Sequence, residues 1–300
     1  MDQEKLQRIL EKHQLWLQTR HLHHIKGCRA DLRYANLTGA NLTGIDLRYA
    51  DLIDADLTNA DLGYTNLTGI DSRYANLMGA DLIDADLTNA DLGYANLTGA
   101  NLTGIDLRYA NLMCADLRYA NLMGADLRYA NLTNADLRYA NLTNADLGYT
   151  NLTGANLGYT NLTNADLIYA DLNNVNLINV NLKGTKNVPF IPFTCPDSGS
   201  FIGYKKANDY VVKLKILEDA RRCSATGRKC RCDKAQVLSI TNLDGTDANI
   251  ASVSSNYDKS FIYTVGEVVE VSDFDTNRWN DCSAGIHFFI NRQEAVEYYY

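Results

Sequence analysis

Proline is nearly missing from this chain: three residues in 300, all between Pro189 and Pro196. Glutamate does not occur between Glu11 and Glu218. No apolar run approaches the roughly 18 residues of a membrane-spanning helix, so no segment is expected to cross a bilayer. The N-terminal stretch, which opens Met1-Asp2-Gln3-Glu4-Lys5, is charged throughout and has neither an apolar core nor a small-residue cleavage site. A secretory leader is therefore not expected, and the protein should stay in the cytoplasm. The seven cysteines are odd in number and irregular in spacing. In a chain long enough to bury its own core they read as reduced thiols, not as a disulfide framework. What remains is ordinary for a folded protein. Hydrophobic residues make up 46%, charged residues 21%, and the formal net charge is -8, which excludes wholesale disorder and predicts one or two domains.

The distinctive content is a repeat. From Ala30 to Gly184 the chain recurs every five residues without insertion, from Ala30-Asp31-Leu32-Arg33-Tyr34 and Ala35-Asn36-Leu37-Thr38-Gly39 to Val180-Asn181-Leu182-Lys183-Gly184. Of its 31 units, all but one carry Leu at the centre; the exception is Ser72. Two positions earlier stands Ala, or in a few units Ile, Thr or Val, as at Ile70, Thr150 and Val175. Only Asp or Asn lies between. A period of five suits neither regular element. On an α-helix it turns successive leucines by about 140° net and scatters them round the cylinder. On a strand an odd spacing sends them to alternate faces. The leucines share one interior only if the backbone bends once per unit, and turn formers such as Thr-Gly, Thr-Asn and Gly-Tyr fill the place of the bend.

Over about half the chain this pattern resembles the pentapeptide-repeat proteins. The resemblance implies a mainly β fold: a right-handed quadrilateral β-helix with four units per coil, the Leu and the preceding small residue inside. The units then make nearly eight coils, stacked at about 4.8 Å into a rod on the order of 35 to 40 Å long. Each buried Leu contributes roughly 1.5 to 3 kcal/mol, so Ser72 is expected to be a local weak point.

With four units per coil, residues 20 apart share a face. Tyr109, Tyr129, Tyr149 and Tyr169 form one column, and Tyr119, Tyr139 and Tyr159 a second on the opposite side. Arg108 and Arg128 stack beside the first, Arg118 and Arg138 beside the second, and Asp86, Asp106, Asp126, Asp146 and Asp166 line the first face. These ladders read either as a solvating coat on the coil or as a binding surface for another protein, since aromatic residues and Arg are the usual interface anchors.

Residues 30–184 hold 18 acidic and 8 basic side chains, against net charges of +3 in residues 1–29 and -1 in 185–300. Some pentapeptide-repeat proteins, those of quinolone resistance, are dimeric rods thought to mimic duplex DNA and engage topoisomerase. B-DNA of this length would carry roughly 20 charges, about twice the net ten of the repeat. The Arg columns dilute the acidic stripe, no loops project, and a whole domain follows. DNA mimicry stands as an alternative, and direct nucleic-acid binding by the rod is not expected.

A coil stack exposes its core and backbone edges at each end and needs caps. Residues 2–18 supply one: Leu6, Ile9, Leu10, His13, Trp16 and Leu17 recur at helical spacing, within an N-terminal segment of residues 1–29. His21, His23 and His24, with Cys28 nearby, form a His-rich connector. Residues 185–200 contain every proline and read as an extended linker with Phe190, Ile191 and Phe193 as its apolar contacts.

Residues 201–300 read as a small α+β domain. Strand-like runs occupy 201–206, 210–217, 234–240, 261–265, 267–271 and 286–290, and Asn291 with Glu294 three residues later opens a short helix. The stretches Gly203-Tyr204-Lys205-Lys206-Ala207, Leu217-Glu218-Asp219-Ala220-Arg221-Arg222 and Cys282-Ser283-Ala284-Gly285-Ile286-His287 resemble an uncharacterised module that follows pentapeptide repeats in some phage, bacterial and giant-virus proteins. Three chemistries present themselves. Cys223, Cys230, Cys232, Cys282 and His287 are candidate zinc ligands, although no Cys-x-x-Cys pair exists. Gly285-Ile286-His287-Phe288-Phe289, with Ala295, Tyr298 and the strand around Tyr204-Lys205, resembles a degenerate ADP-ribosyltransferase lacking the nicotinamide-holding His and the catalytic Glu. Arg221, Arg222, Arg228, Lys229, Arg231 and Lys234 form a basic cluster suited to phosphate or nucleic acid, or else to pairing with the acidic rod or facing solvent. The expectation is a non-enzymatic scaffold or protein-interaction protein that needs no cofactor. The alternative is a nucleotide- or phosphate-binding activity in residues 201–300.

Overall fold

The computed structural model describes residues 1–189, 194–224, 228–278, 280 and 283–298. The chain divides into two units, Met1–Phe190 and Ile191–Tyr300. The expected linker over 185–200 is shared between them: Lys186 still pairs with Asp166 in the first, and Cys195 lies in the core of the second. Phe190, Ile191 and Phe193 lie outside the described residues.

In the first unit every five-residue period contains a turn. The amide that opens the next unit donates to the carbonyl of the central residue, as from Ala35 to Leu32 at 3.1 Å and from Ala110 to Leu107 at 3.0 Å. The third residue of each turn has positive φ, for example 57° at Tyr34, 58° at Asn89 and 68° at Gly124. This is type II geometry, whose third position Gly or Asn ordinarily fills. Between turns the backbone pairs with the coil twenty residues on. Leu107 N–H donates to the Asp126 carbonyl at 2.8 Å and Asp126 N–H to that of Ile105 at 2.9 Å. Parallel bridges of this kind run from Asp31 and Asp51 to Asp166 and Lys186, so four units make one coil.

That register sends the central leucines from Leu32 to Leu177 into a buried column core with most of the small residues before them. Where Thr replaces Ala inside, its hydroxyl finds a carbonyl 23 residues earlier: Thr65 on Leu42 at 3.0 Å, Thr150 on Leu127 at 2.8 Å and Thr160 on Leu137 at 2.7 Å. A buried hydroxyl is thereby satisfied at little penalty. The Asp or Asn of each unit accepts the amide two residues on, as Asp126 does from Arg128 at 3.2 Å. Stacked asparagines also bond one another between coils, Asn96 to Asn76 at 3.0 Å and Asn141 to Asn121 at 3.0 Å. Both uses explain why the position admits no other residue type.

Helix α1 (Gln3–Thr19) covers the first coil, its N-terminus capped by Asp2, whose carboxylate accepts from Lys5 N–H at 2.7 Å. His13 and Leu17 are buried beneath it. The His13 Nδ1 accepts the Ala30 N–H at 3.0 Å, which ties the helix to the first repeat. Its Nε2 is buried and meets no hydrogen-bond partner among the described residues. Trp16 meets Tyr49 edge-on with ring centres 6.5 Å apart.

The second unit is built from short strands. β1 (Phe201–Ala207), β2 (Tyr210–Ile216), β5 (Lys234–Asn242) and β8 (Val268–Glu270) form an antiparallel sheet in the order β1-β2-β5-β8. β3 (Arg222–Ser224), β4 (Cys230–Cys232) and β9 (Ile286–Phe288) form a second, and β6 (Ser252–Ser254) pairs with β7 (Ile262–Thr264). Tyr204 and Phe289 exchange backbone hydrogen bonds at 2.7 and 2.8 Å, joining β1 to the segment after β9. Helix α2 (Arg292–Glu297) opens on Asn291, which accepts from Gln293 N–H at 2.8 Å. Glu294 does not close a capping box, since it pairs with Arg228. The core gathers Val212, Leu214, Val237, Ile286 and Phe288. No described helix is long and apolar enough to cross a membrane.

Two outcomes follow for the first unit. Ser72 stands inside the leucine column with Leu52 and Leu92 one coil away on either side, all three buried. Ser72→Leu is expected to raise its stability by about 1 to 3 kcal/mol, read as a later midpoint in thermal or urea unfolding. Burial, the largest influence on His13, lowers its pKa from the ordinary 6.5. As pH falls below about 6.5 the unfolded chain takes up a proton that the folded cap refuses, so stability declines. In His13→Gln this contribution should vanish. The difference in unfolding midpoint between the two proteins from pH 7.5 to 5 isolates it from His287, which burial also keeps neutral.

Candidate functional site

The turns place the tyrosines on the outside of the first unit in stacked columns. Ring centres are 5.0 Å apart between Tyr109 and Tyr129, 4.9 Å between Tyr129 and Tyr149, and 5.0 Å between Tyr149 and Tyr169. In the second column they are 5.1 Å apart between Tyr119 and Tyr139 and 5.0 Å between Tyr139 and Tyr159. The coil spacing itself puts the rings at stacking distance. They remain open to solvent, from 47% at Tyr129 to 71% at Tyr169. A third stack, Tyr74 over Tyr94 at 5.2 Å, was visible in the spacing of 20 but is interrupted by Cys114.

Beside these columns each Arg clasps the Asp two residues before it, and Arg108, Arg118 and Arg128 also reach toward the next coil. Arg108 lies 2.6 Å from Asp106 and 3.6 Å from Asp126, and Arg118 lies 2.6 Å from Asp116 and 3.8 Å from Asp136. Arg128 bonds Asp126 at 2.5 Å and approaches Asp146 at 3.5 Å, while Arg138 bonds Asp136 at 2.6 Å. The Arg118 hydrogen bond, outweighing burial, holds the Asp116 carboxyl below its usual range. Carboxylates stacked at the coil spacing repel, and the bridging guanidiniums offset this, each half-exposed pair contributing little by itself. The acidic stripe is thus balanced at Asp116 and Asp136 beside the second column and only diluted along the first, where two arginines stand among five aspartates.

In the second unit the basic cluster is largely engaged within its own fold. Arg221 pairs with Asp233 at 2.7 Å, Lys234 with Asp219 at 2.6 Å, and Arg228 with Glu294. Arg222 donates to the carbonyls of Gly199, Leu217 and Glu218, each at 2.8 Å. Arg231, almost fully buried, donates to Ser283 Oγ and to the Asn277 carbonyl at 2.9 Å. These five residues brace loops and form no common face toward a ligand. Lys229 is separate: it is buried and bonds the Tyr298 hydroxyl at 3.3 Å.

Cys223, Cys230 and Cys232 are buried free thiols on β3 and β4. Burial pushes the Cys223 and Cys232 thiols up, and a hydrogen bond with Cys195, joined by burial, does the same to Cys230. Such thiols are inert core residues. His287 Nε2 faces the Ser283 carbonyl at 3.1 Å instead of these sulfurs. Cys282 lies outside the described residues, among which no three His, Cys, Asp or Glu side chains are placed to hold a metal ion.

What the fold does assemble is a cavity of about 470 Å³ lined by Lys205, Lys229, His287, Phe261, Tyr263 and Tyr298 among others. It gathers Lys205 and His287 from the transferase-like stretches and Lys229 from the basic cluster. Lys205 as a pocket residue was missed, although it stands in the quoted stretch Gly203-Tyr204-Lys205-Lys206-Ala207.

With this geometry in view, comparison with known proteins gives two family matches and a set of solved structures. Residues 191–295 match a family of unknown function, DUF5758. HetL, a pentapeptide-repeat protein involved in regulating heterocyst differentiation in the cyanobacterium Nostoc, is 35% identical over 52% of this chain and 88% of its own, with a TM-score of 0.33. QnrB1, a plasmid-mediated fluoroquinolone resistance protein, is 21% identical over 50% of this chain and 90% of its own, at 0.30. Rfr23 from the cyanobacterium Cyanothece is 34% identical over 35% and 62%, at 0.20. None of the curated proteins compared is a match. The family described as pentapeptide repeats matches in overlapping segments that together run from residue 29 to residue 184, more than half of the 300 residues, and with the twenty-residue coil register it shows that the chain belongs to the pentapeptide-repeat proteins.

Proposed function

We propose that the chain is a non-enzymatic interaction protein of the cytoplasm whose first unit, a right-handed four-sided coil, presents its tyrosine columns and the arginines beside them to a protein partner. One observation carries the reading. The tyrosines occupy positive-φ turn positions, 60° at Tyr109, 63° at Tyr129 and 58° at Tyr149, which Asn and Gly fill elsewhere in the same coil stack. A side chain in that region costs roughly 1 to 2 kcal/mol, and a stacked aromatic pair returns about 0.5 to 1.5. The two nearly cancel, so folding gives no reason to prefer Tyr there. A rigid, exposed aromatic strip flanked by immobilised guanidiniums is what a protein interface uses. The six described cysteines are free thiols, which supports a reducing compartment.

The test replaces Tyr109, Tyr129 and Tyr149 together by Asn. The fold should survive with its unfolding midpoint within a few degrees of the parent, because Asn suits the turn. Proteins that co-purify with the parent should be lost, and the corresponding Phe replacements should retain them. The same proteins bound to the Asn variant would discard the tyrosine surface.

A further inference from the structure

The cavity of the second unit contains a buried charge that the fold itself does not explain. Lys205 lies on β1, where alternation puts Gly203, Lys205 and Ala207 on the inward face, and its cross-strand neighbour is the fully buried Val212. An apolar residue belongs at such a position, and a polar one there signals function. Lys205 is only 6% exposed and lines the cavity. No ion pair or hydrogen bond from its ammonium to any described residue exists; its one polar contact is with the face of Tyr263, 5.8 Å from the ring centre. A buried ammonium without a counter-charge is expensive to keep.

Other groups at the cavity point the same way. Lys229, 8% exposed, and His287 join Lys205 among the lining residues. The carboxylates of Asp258, Glu270 and Asp273 also line the cavity, but all three are solvent-exposed. Positive charge therefore lies deep and negative charge at the mouth. Phe261, Tyr263 and Phe289 supply an apolar wall. A volume of about 470 Å³ falls in the range of small-molecule sites, which are mostly apolar with a few convergent polar groups.

We propose that this cavity binds a small aromatic oxyanion, its charged end against Lys205 and its ring against Phe261, Tyr263 and Phe289. The anion supplies the counter-charge the fold withholds, and the exposed carboxylates at the mouth disfavour larger polyanions such as nucleic acid. Burial, followed by the nearby Lys229, lowers Lys205 to about 8. Burial, with Lys229 and Lys205, lowers His287 to about 3, so His287 is neutral at physiological pH and offers a ring nitrogen instead of a charge.

The full chain is titrated calorimetrically with phenyl phosphate, benzoate and phenol at pH 7.5. Phenyl phosphate or benzoate should bind one to one and raise the unfolding midpoint of the second unit, the stronger of the two identifying the headgroup. Phenol should bind at least tenfold more weakly. Lys205→Met, of similar length and without charge, should lose at least tenfold in affinity without losing stability. Affinity of the parent for the two anions should also fall severalfold from pH 7.5 to 9.5, as Lys205 gives up its proton while phenyl phosphate and benzoate stay ionised, and this readout decides the question should the variant not fold. Absence of saturable binding by both anions, undiminished binding in Lys205→Met, or affinity independent of pH over that interval would overturn the proposal.

Discussion

One constraint governs the first unit: each backbone amide on a coil side must find its carbonyl in the adjoining coil, 19 residues on or 21 back, so that bridged residues lie twenty apart. The register admits no drift, because a slip of a single residue would turn every leucine out and every Asp or Asn in. Once it holds, like residues stack on like over the whole stack. Leucine columns inside, asparagine ladders between coils and tyrosine columns outside are three results of one periodicity. Such stacking is tolerable for Leu, Asn and Tyr, whose copies attract one another. It is adverse for Asp, and at several of these stacks bridging arginines appear.

The same constraint sets apart the two residues that do not fit it. His13 closes the first coil by accepting the Ala30 amide, yet its other ring nitrogen is buried with no hydrogen-bond partner among the described residues. Ser72 interrupts the leucine column where both adjoining coils keep Leu. Neither disturbs the register, since hydrogen bonding along the backbone continues on both sides of them. Side-chain defects in a coil stack are absorbed locally because each coil contacts only its neighbours.

Much of this was legible in the residues themselves. A five-residue period with one apolar centre requires a bend in every unit, so a coil could be read from Leu32 to Leu182; its four units per turn, and with them the membership of each column, came from the resemblance to pentapeptide-repeat proteins. The capping helix was legible from the spacing of Leu6, His13 and Leu17, and six strands of the second unit from their alternation. The three-residue strands β3, β4 and β6 were not, being too short for any period to show. The environment of the basic cluster was not legible either, for a different reason. Its partners Asp219, Asp233 and Glu294 lie on segments that only folding brings near, so nearness in sequence said little about a shared face. Lys205 was hidden because Lys206 adjoins it, and nothing in Tyr204-Lys205-Lys206 tells which lysine turns inward until β1 is paired with β2.

The coil-to-coil pairing also limits how such a chain can change its length. Duplicating or deleting a block of twenty residues adds or removes one complete storey, and every side keeps its identity, so the aromatic strip grows or shrinks by one ring. A block of five would instead rotate all that follows by one side, splitting each column in two and setting Tyr over Gly or Asn. Lineages of this protein can therefore vary in height by whole storeys while the surface pattern endures.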